Sequence, residues 1–252
     1  MRLGVVVPTY NEIDNIEKIV EKIFSLPVSP EDKIDVVVVD DNSQDGTQDA
    51  LKRLKDRHKD KIHVIIRTHE RGRGTAGIAG FKKCLELPCD AIMEMDSDFS
   101  HDPKYIPLFL SLLKYYDVVI GSRYVEGGYV SGWPISRKIN SGAANLIYRF
   151  ILGTKIHDLS GGYKCYRREV LSDFNFDEFF STGYSIGIET LFRCYKKGYS
   201  FLEIPIVFRN RQKGKSKFRL KEAITALAVV FRLFFKYGRA VRLFDRIEEG
   251  SL

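Results

Sequence analysis

The sequence predicts an α/β domain built on a doubly wound, mostly parallel sheet. Three observations predict it. Short runs of apolar, β-branched residues recur through the first half of the chain without the polar alternation of a sheet that faces water on one side. Between these runs lie stretches of helical apolar periodicity, and strand–helix–strand units of this length assemble into such sheets. The residues just after the runs are polar and acidic, at the strand ends where open α/β sheets bind ligands. A chain of 252 residues with 44% hydrophobic and 29% charged residues can bury one sizeable core, which excludes disordered and fibrous classes.

The first run, Leu3–Val7, ends in Pro8-Thr9-Tyr10-Asn11-Glu12, and Ile16, Ile19, Val20 and Ile23 then form one helix face. The second, Ile34–Val39, ends in Asp40-Asp41-Asn42-Ser43-Gln44-Asp45-Gly46-Thr47; Leu51 and Leu54 mark the helix after it. The third, Ile62–Ile66, precedes Gly72-Arg73-Gly74-Thr75-Ala76-Gly77, a match to GxGxxG. A dinucleotide site needs that motif directly after the first strand, whereas Thr68-His69-Glu70-Arg71 intervene after the third. The segment is therefore read as a flexible basic loop lining a phosphate-bearing substrate. The fourth run, Ala91–Met95, ends in Asp96-Ser97-Asp98, Ile106, Phe109, Leu110 and Leu113 give another helix face, and Val118–Ile120 is the fifth run.

At any one strand end, Asn, Asp and Ser are ordinary turn and cap residues. Three such ends bring a Tyr, a Glu and several Asp side chains to one edge. Carboxylates gathered there repel one another unless a cation sits among them, and Asp-x-Asp offers oxygen ligands suited to Mg²⁺ or Mn²⁺.

The net charge is +7, yet Arg209–Lys221 holds seven basic and no acidic residues, so elsewhere the charges balance. Positive charge this local fits one anionic partner rather than a surface that coats nucleic acid. The four cysteines form no CxxC pair and are expected to be reduced thiols, not zinc ligands. With no 18-residue apolar run and an opening too short for a signal peptide, a soluble cytosolic protein is expected. From Leu220 to Tyr237, Ile224, Leu227, Ala228, Phe231, Phe234 and Phe235 form an apolar face beside Lys221, Arg232 and Lys236. Core packing and the membrane interface both fit that pattern.

The Pro8–Glu12, Val39–Thr47 and Met95–Pro103 stretches resemble family 2 glycosyltransferases of the glycosyltransferase-A fold, and within them the dolichyl-phosphate mannose synthases, the polyprenyl-phosphate mannosyltransferases. Further matches cover nearly the whole chain: Gly121–Tyr124, Ser136–Asn140, Asp158–Lys164, Glu203–Ile206, and Arg211 to Lys217. Three departures stand out. Ser97 replaces the Ala of Asp-Ala-Asp, Ser100 stands where some members carry a Gln metal ligand, and Gly183–Glu189 lacks the Phe-Gln often found before that Glu.

The resemblance implies inverting transfer of mannose from GDP-mannose to dolichyl (polyprenyl) phosphate, with the nucleotide-sugar site at the strand carboxyl ends and Mg²⁺ or Mn²⁺ as cofactor. Pro8, Tyr10, Glu12, Val39 and Asp41 would hold base and ribose; Asp96, Ser97 and Asp98 would meet the rest of the donor. Asp98 would be the direct metal ligand, Asp96 would be shared between metal and donor, and Ser100 or a water would have to serve in the third ligand position. Arg211 and Lys217 would close over the diphosphate, while Arg123 and Arg137 hold the acceptor phosphate; Asp98, Arg123 and Arg137 form the catalytic set. A phosphomonoester with a second pKa of about 6 is already largely dianionic at neutral pH, so no catalytic base is required. Residues 1–218 are expected to form the catalytic domain, and 219–252 a C-terminal amphipathic segment docking on the cytosolic membrane face or on a small membrane-protein partner. The nearest alternative is the same transfer from UDP-glucose. From a different class comes a non-catalytic nucleotide- or nucleic-acid-binding protein, although no nucleic-acid partner is expected. A processive polysaccharide synthase is disfavoured, because the lone tryptophan, Trp133, lies in Gly-Trp-Pro instead of Gln-x-x-Arg-Trp.

Overall fold

All five apolar runs form strands in the computed structural model, which describes residues 1–210 and 220–240. In chain order the elements are β1 (Arg2–Thr9), α1 (Ile16–Phe24), β2 (Lys33–Asp40), α2 (Thr47–His58), β3 (Ile62–Ile66), α3 (Arg73–Glu86), β4 (Ala91–Glu94), α4 (Ile106–Leu112), β5 (Val118–Ser122), β6 (Tyr129–Ser131), α5 (Ile135–Leu152), β7 (Lys164–Arg167), α6 (Arg168–Ser172), α7 (Ser185–Lys196), β8 (Phe201–Pro205), β9 (Val207–Arg209) and α8 (Leu220–Tyr237).

The main sheet has the order β3-β2-β1-β4-β7-β5-β8, and β6 pairs with β9 in a small second sheet. Neighbours in the main sheet run parallel except β7, which is antiparallel to both β4 and β5. Because β2 and β4 flank β1, the strand order reverses there. The carboxyl ends of β2, β1 and β4 thus lie side by side at the switch point, with Thr9 opposite Asp40. No apolar run announces β7: Lys164-Cys165-Tyr166-Arg167 is a strand because it fills the gap between β4 and β5, where Lys164 pairs with Glu94.

Absence of polar alternation in the strands has a direct cause, since both sheet faces are covered. Val6, Val37, Ile92 and Ile120 pack into one core beneath α3, α5, α7 and α8; Val5, Val36, Val38 and Met93 pack into the other with α1, α2 and α4. All four cysteines are buried free thiols.

Two expectations change. Residues 73–77 of the GxGxxG segment are not loop but the first turns of α3, with Gly72 as N-cap at φ 138°, a conformation only glycine enters readily. Its glycines serve close packing. A Cβ would lie 2.1 Å from Gly183 O at Gly74 and 2.6 Å from Glu94 Oε1 at Gly77. The second change concerns α8, whose apolar residues divide between two sides. Ala226, Val229, Val230 and Leu233 are buried in the core, α5 and α7 being its helical neighbours, while Ile224, Leu227, Ala228, Phe231 and Phe235 point outward. Among the described residues no helix is long and apolar enough to cross a membrane.

Candidate active site

Each of the three switch-point strands is followed by a residue in the left-handed region: Asn11 at φ 55°, Asn42 at φ 57° and Phe99 at φ 61°. Asn enters this region readily, whereas a bulky Phe does so only where surrounding structure holds it. The first two turns are knitted together, since Asn11 N donates to Ser43 Oγ at 2.7 Å and Asn11 Oδ1 accepts from Gln44 N at 3.0 Å. Two of the acidic residues counted at this edge turn out to be structural. Asp40 accepts the Ser43 N–H, and Asp45 accepts those of Thr47 and Ile13, so both are turn and cap residues.

The others line a cavity of about 210 Å³ with Pro8, Tyr10, Glu12, Asp41, Asp96 and Ser97 in its wall. Asp41 is held from one side by Arg67, whose Nε donates at 2.7 Å, and from the other by Gly72 N at 2.7 Å. A carboxylate keeps further acceptor capacity beyond these bonds, so Asp41 can still take donors from a ligand. Arg71 places its guanidinium 5.2 Å from the Tyr10 ring centroid. Val39 lines neither cavity, because its side chain is buried in the core.

A second cavity of about 380 Å³ adjoins the first. Asp98, Ser100, Arg123 and Arg137 face it, together with Trp133 and an apolar wall of Ala144, Tyr148, Ile188 and Ala226. Arg123 is clamped: its Nε and Nη2 reach the Asp158 carboxylate at 2.8 and 2.7 Å, and Nη2 also donates to Ser160 Oγ at 2.8 Å. Burial opposes ionisation of Asp158, but Arg123 outweighs it and keeps the carboxyl below its ordinary pKa. Glu203 in turn fixes the Asp158 loop by accepting the His157 and Asp158 N–H groups at 2.7 and 2.9 Å. Arg137 lies 3.9 Å above the Trp133 ring, and burial together with the like charge of Arg123 lowers its pKa. An anion between the two guanidinium groups would relieve that repulsion.

Arg73, Asp96 and Tyr184 line both cavities and so mark their junction. His101 Nδ1 accepts the Asp96 N–H at 3.1 Å, which leaves its ring proton on Nε2; burial holds its pKa below the usual value, and the ring stacks on Tyr163. Asp98 Oδ1 accepts the Ser100 N–H at 3.0 Å. Ser100 Oγ is buried with no hydrogen-bond partner among the described residues, a state that costs free energy until a ligand meets it.

Among the described residues no cluster of three His, Cys, Asp or Glu side chains is arranged to hold a metal. What the turn offers is two carboxylates, Asp96 and Asp98, and the orphaned Ser100 hydroxyl. That set fits Mg²⁺ or Mn²⁺, which bind through one or two carboxylates and take their remaining oxygens from water and substrate phosphates. Arg211 and Lys217 lie outside the described residues. Sequence reasoning missed Trp133 and Tyr184 as pocket residues and Arg67 as the partner of Asp41, took Arg73 only as part of a basic segment lining a phosphate-bearing substrate, and gave Asp158, inside a matched stretch, no role.

A doubly wound sheet with two adjoining cavities joined at an Asp-x-Asp turn is the glycosyltransferase-A fold. The chain belongs to glycosyl transferase family 2, whose sequence profile matches residues 4–174. It is similar to a polyprenol monophosphomannose synthase of Mycolicibacterium smegmatis, with 39% identity over 90% of this chain and 86% of the relative. An undecaprenyl-phosphate mannosyltransferase of Micrococcus luteus is also 39% identical, over 86% of this chain and 87% of its own length. In fold the chain resembles glucosyl-3-phosphoglycerate synthase from Mycobacterium tuberculosis, solved with Mn²⁺, uridine diphosphate and glucosyl-3-phosphoglycerate. The TM-score is 0.65 at 19% identity, over 94% of this chain and 80% of that one.

Proposed function

We propose that this chain moves mannose from GDP-mannose to dolichyl or another polyprenyl phosphate, inverting the anomeric centre to give a β-linked lipid phosphate sugar. The observation that carries this reading is the meeting, at Asp96, of two cavities of different chemistry. One is walled by Tyr10, Glu12 and Asp41, groups that suit a nucleoside. The other pairs Arg123 and Arg137 with an apolar wall, a combination that suits a phosphate carrying a hydrocarbon tail. Relatives that act on polyprenyl phosphates, at 39% identity, support the choice of acceptor and sugar.

Glu12 and Asp41 accept hydroxyl and base N–H donors, and Arg123 and Arg137 bring the acceptor phosphate toward the junction against its repulsion by the donor. A divalent cation held by Asp96, Asp98 and Ser100 would neutralise the leaving diphosphate, an effect worth several kcal/mol. The acceptor oxygen is already ionised, so His101, neutral and bonded to the Asp96 amide, has no proton to take. Its task is to fix the turn that carries Asp96.

Docking at the cytosolic membrane face is part of the same proposal. α5 and α8 wall the second cavity, and their outer sides expose Ile139, Leu146 and Phe150, and Leu227, Phe231 and Phe235, near the cations Arg232, Lys236 and Arg239. Such a surface suits an anionic headgroup layer or a small membrane protein. The test offers labelled sugar nucleotides singly with a polyprenyl phosphate and counts label extracted into organic solvent. Label from GDP-mannose is the expected result. Label from UDP-glucose alone would move the assignment to the glucosyl reaction, and nucleotide binding without transfer from any donor would overturn it in favour of a non-catalytic binding protein.

A further inference from the structure

Arg73 is the one cation of the segment that the sequence reading set along a phosphate-bearing substrate, without a role of its own. It opens α3 directly after Gly72, and its guanidinium reaches the junction of the two cavities. Behind it, Nη1 meets Glu94 Oε1 at 3.2 Å; Glu94 is buried and lines neither cavity. In front, Nε donates to Asp96 Oδ1 at 2.8 Å. Nη2 lies 2.7 Å from the same oxygen but without the alignment of a hydrogen bond, and it is buried with no other partner among the described residues. The guanidinium lies 5.5 Å from the Tyr184 ring centroid, and a Cβ at Gly162 would strike Nη2 at 2.3 Å, so this chain keeps space for it on both sides.

A counter-ion for Glu94 alone would need no place in either cavity. This cation is held by two carboxylates, Glu94 behind and Asp96 in front, and lines the junction, with Nη2 in ionic contact with Asp96 but making no aligned hydrogen bond. On the reading of the chain as a nucleotide-sugar transferase, we propose that Arg73 is a further catalytic residue whose guanidinium contacts the donor diphosphate as it leaves. In that step the acceptor phosphate oxygen forms the new bond to the anomeric carbon. The bond from that carbon to the β-phosphate oxygen breaks, and its electron pair stays on the diphosphate. No proton moves. The charge that grows on the diphosphate is met by fixed N–H donors at the junction, which need no reorganisation as the bond breaks.

The test separates a diphosphate contact from a merely structural ion pair. Binding of GDP and UDP is compared with that of GMP and UMP, using the full chain with Mn²⁺ and again with a chelator. Removing Arg73 alone would strand the buried Glu94, so the main variant pairs Arg73→Met with Glu94→Gln, and Arg73→Lys serves as the conservative partner. In the double variant the diphosphates should bind about ten- to hundredfold more weakly, the expected loss for a charge-assisted phosphate contact. The monophosphates should bind within about twofold of wild type, the thermal midpoint should hold, and Arg73→Lys should recover part of the loss. Equal weakening of mono- and diphosphates would make the pair structural and overturn the proposal, as would unchanged diphosphate binding. The functional reading is tested separately by sugar transfer in the wild-type chain, because loss of diphosphate preference is measured without the acceptor.

Discussion

At the scale of single residues, the site depends on charge more than on shape. Asp98→Asn keeps the size of the side chain and an acceptor for the Ser100 amide but removes the carboxylate charge. Transfer is expected to fall about 100-fold or more, in line with a contribution of several kcal/mol, with the thermal midpoint near wild type. Steady-state rates beside a melting curve check this; full activity of Asp98→Asn in chelated buffer would remove the metal from the mechanism. Arg137 is the better probe of the acceptor, since Arg123 is clamped by Asp158 and its loss would leave a buried carboxylate unpaired. Arg137→Ala should lower kcat/KM for the acceptor about ten- to hundredfold while donor affinity stays constant. A matching loss of donor binding would reassign Arg137 to the other substrate. Pro8, Tyr10, Glu12, Asp41 and the Asp96–Ser100 turn are legible in the sequence because each follows an apolar run within a few residues. Arg67 and Asp158 are not, because they act on partners 26 and 35 residues away through side-chain reach.

At the scale of elements, close packing of α3 on β1 and the pairing of β4 with β7 can each be probed by one substitution. Gly80→Ala in α3 would gain about 1 kcal/mol of helix propensity. Its Cβ would meet Val6 Cγ1 at 2.2 Å, and overpacking of that kind costs about 1–3 kcal/mol, so a net fall in thermal midpoint of a few degrees is expected in calorimetry. A midpoint above wild type would show that the interface has slack. In the β4–β7 pair, Lys164 is buried opposite Glu94, and burial, only partly offset by Glu94 and Asp158, lowers its pKa to about 8. Between pH 8 and the ordinary lysine value the unfolded chain binds the proton and the folded chain does not. The Lys164 contribution to stability therefore rises with pH across that window and is at its least favourable below pH 8. Urea titrations at pH 7 and pH 9.5 should show wild type gaining stability relative to Lys164→Met on going alkaline; a constant difference would mean that Lys164 does not titrate there. The strands flanked by Gly, Pro and Asp are readable because apolar runs repeat with helices between them. β7 is unreadable because its four residues owe their extended form to the strands on either side.

At the scale of the whole molecule, the proposed function raises the question of how a domain with no described helix long and apolar enough to cross a membrane would reach a lipid acceptor. The outward faces of α5 and α8 carry Phe150 and Phe235, which are 72% and 80% exposed, while Val230 and Leu233 on the other side of α8 are fully buried. Changing Phe150 and Phe235 together to Glu should therefore leave folding intact, release the protein from anionic liposomes, and slow transfer to long-chain acceptors far more than to short, water-soluble ones. Flotation with liposomes and a comparison of acceptor lengths check both parts. If the double variant still floats with the vesicles, docking belongs to another surface or to a partner protein.

The chain's own pattern determined the class of fold, the five apolar strands and the acidic turns after three of them, because strand periodicity, helix periodicity and motif spacing are local properties written in consecutive residues; its motifs added a resemblance to a transferase family. Which of those acidic residues line a cavity was decided by tertiary structure: Asp40 and Asp45 are consumed by their own turns, while Asp41, Asp96 and Asp98 reach the cavities. The division of α8 into a buried and an exposed apolar face was also decided there, since a hydrophobic residue's spacing states which face it shares but not what covers that face. So was the position of Arg73. A loop in the sequence reading, it became a helix start aimed at the junction of two cavities only when glycines on α3 let that helix close onto Glu94 and Gly183.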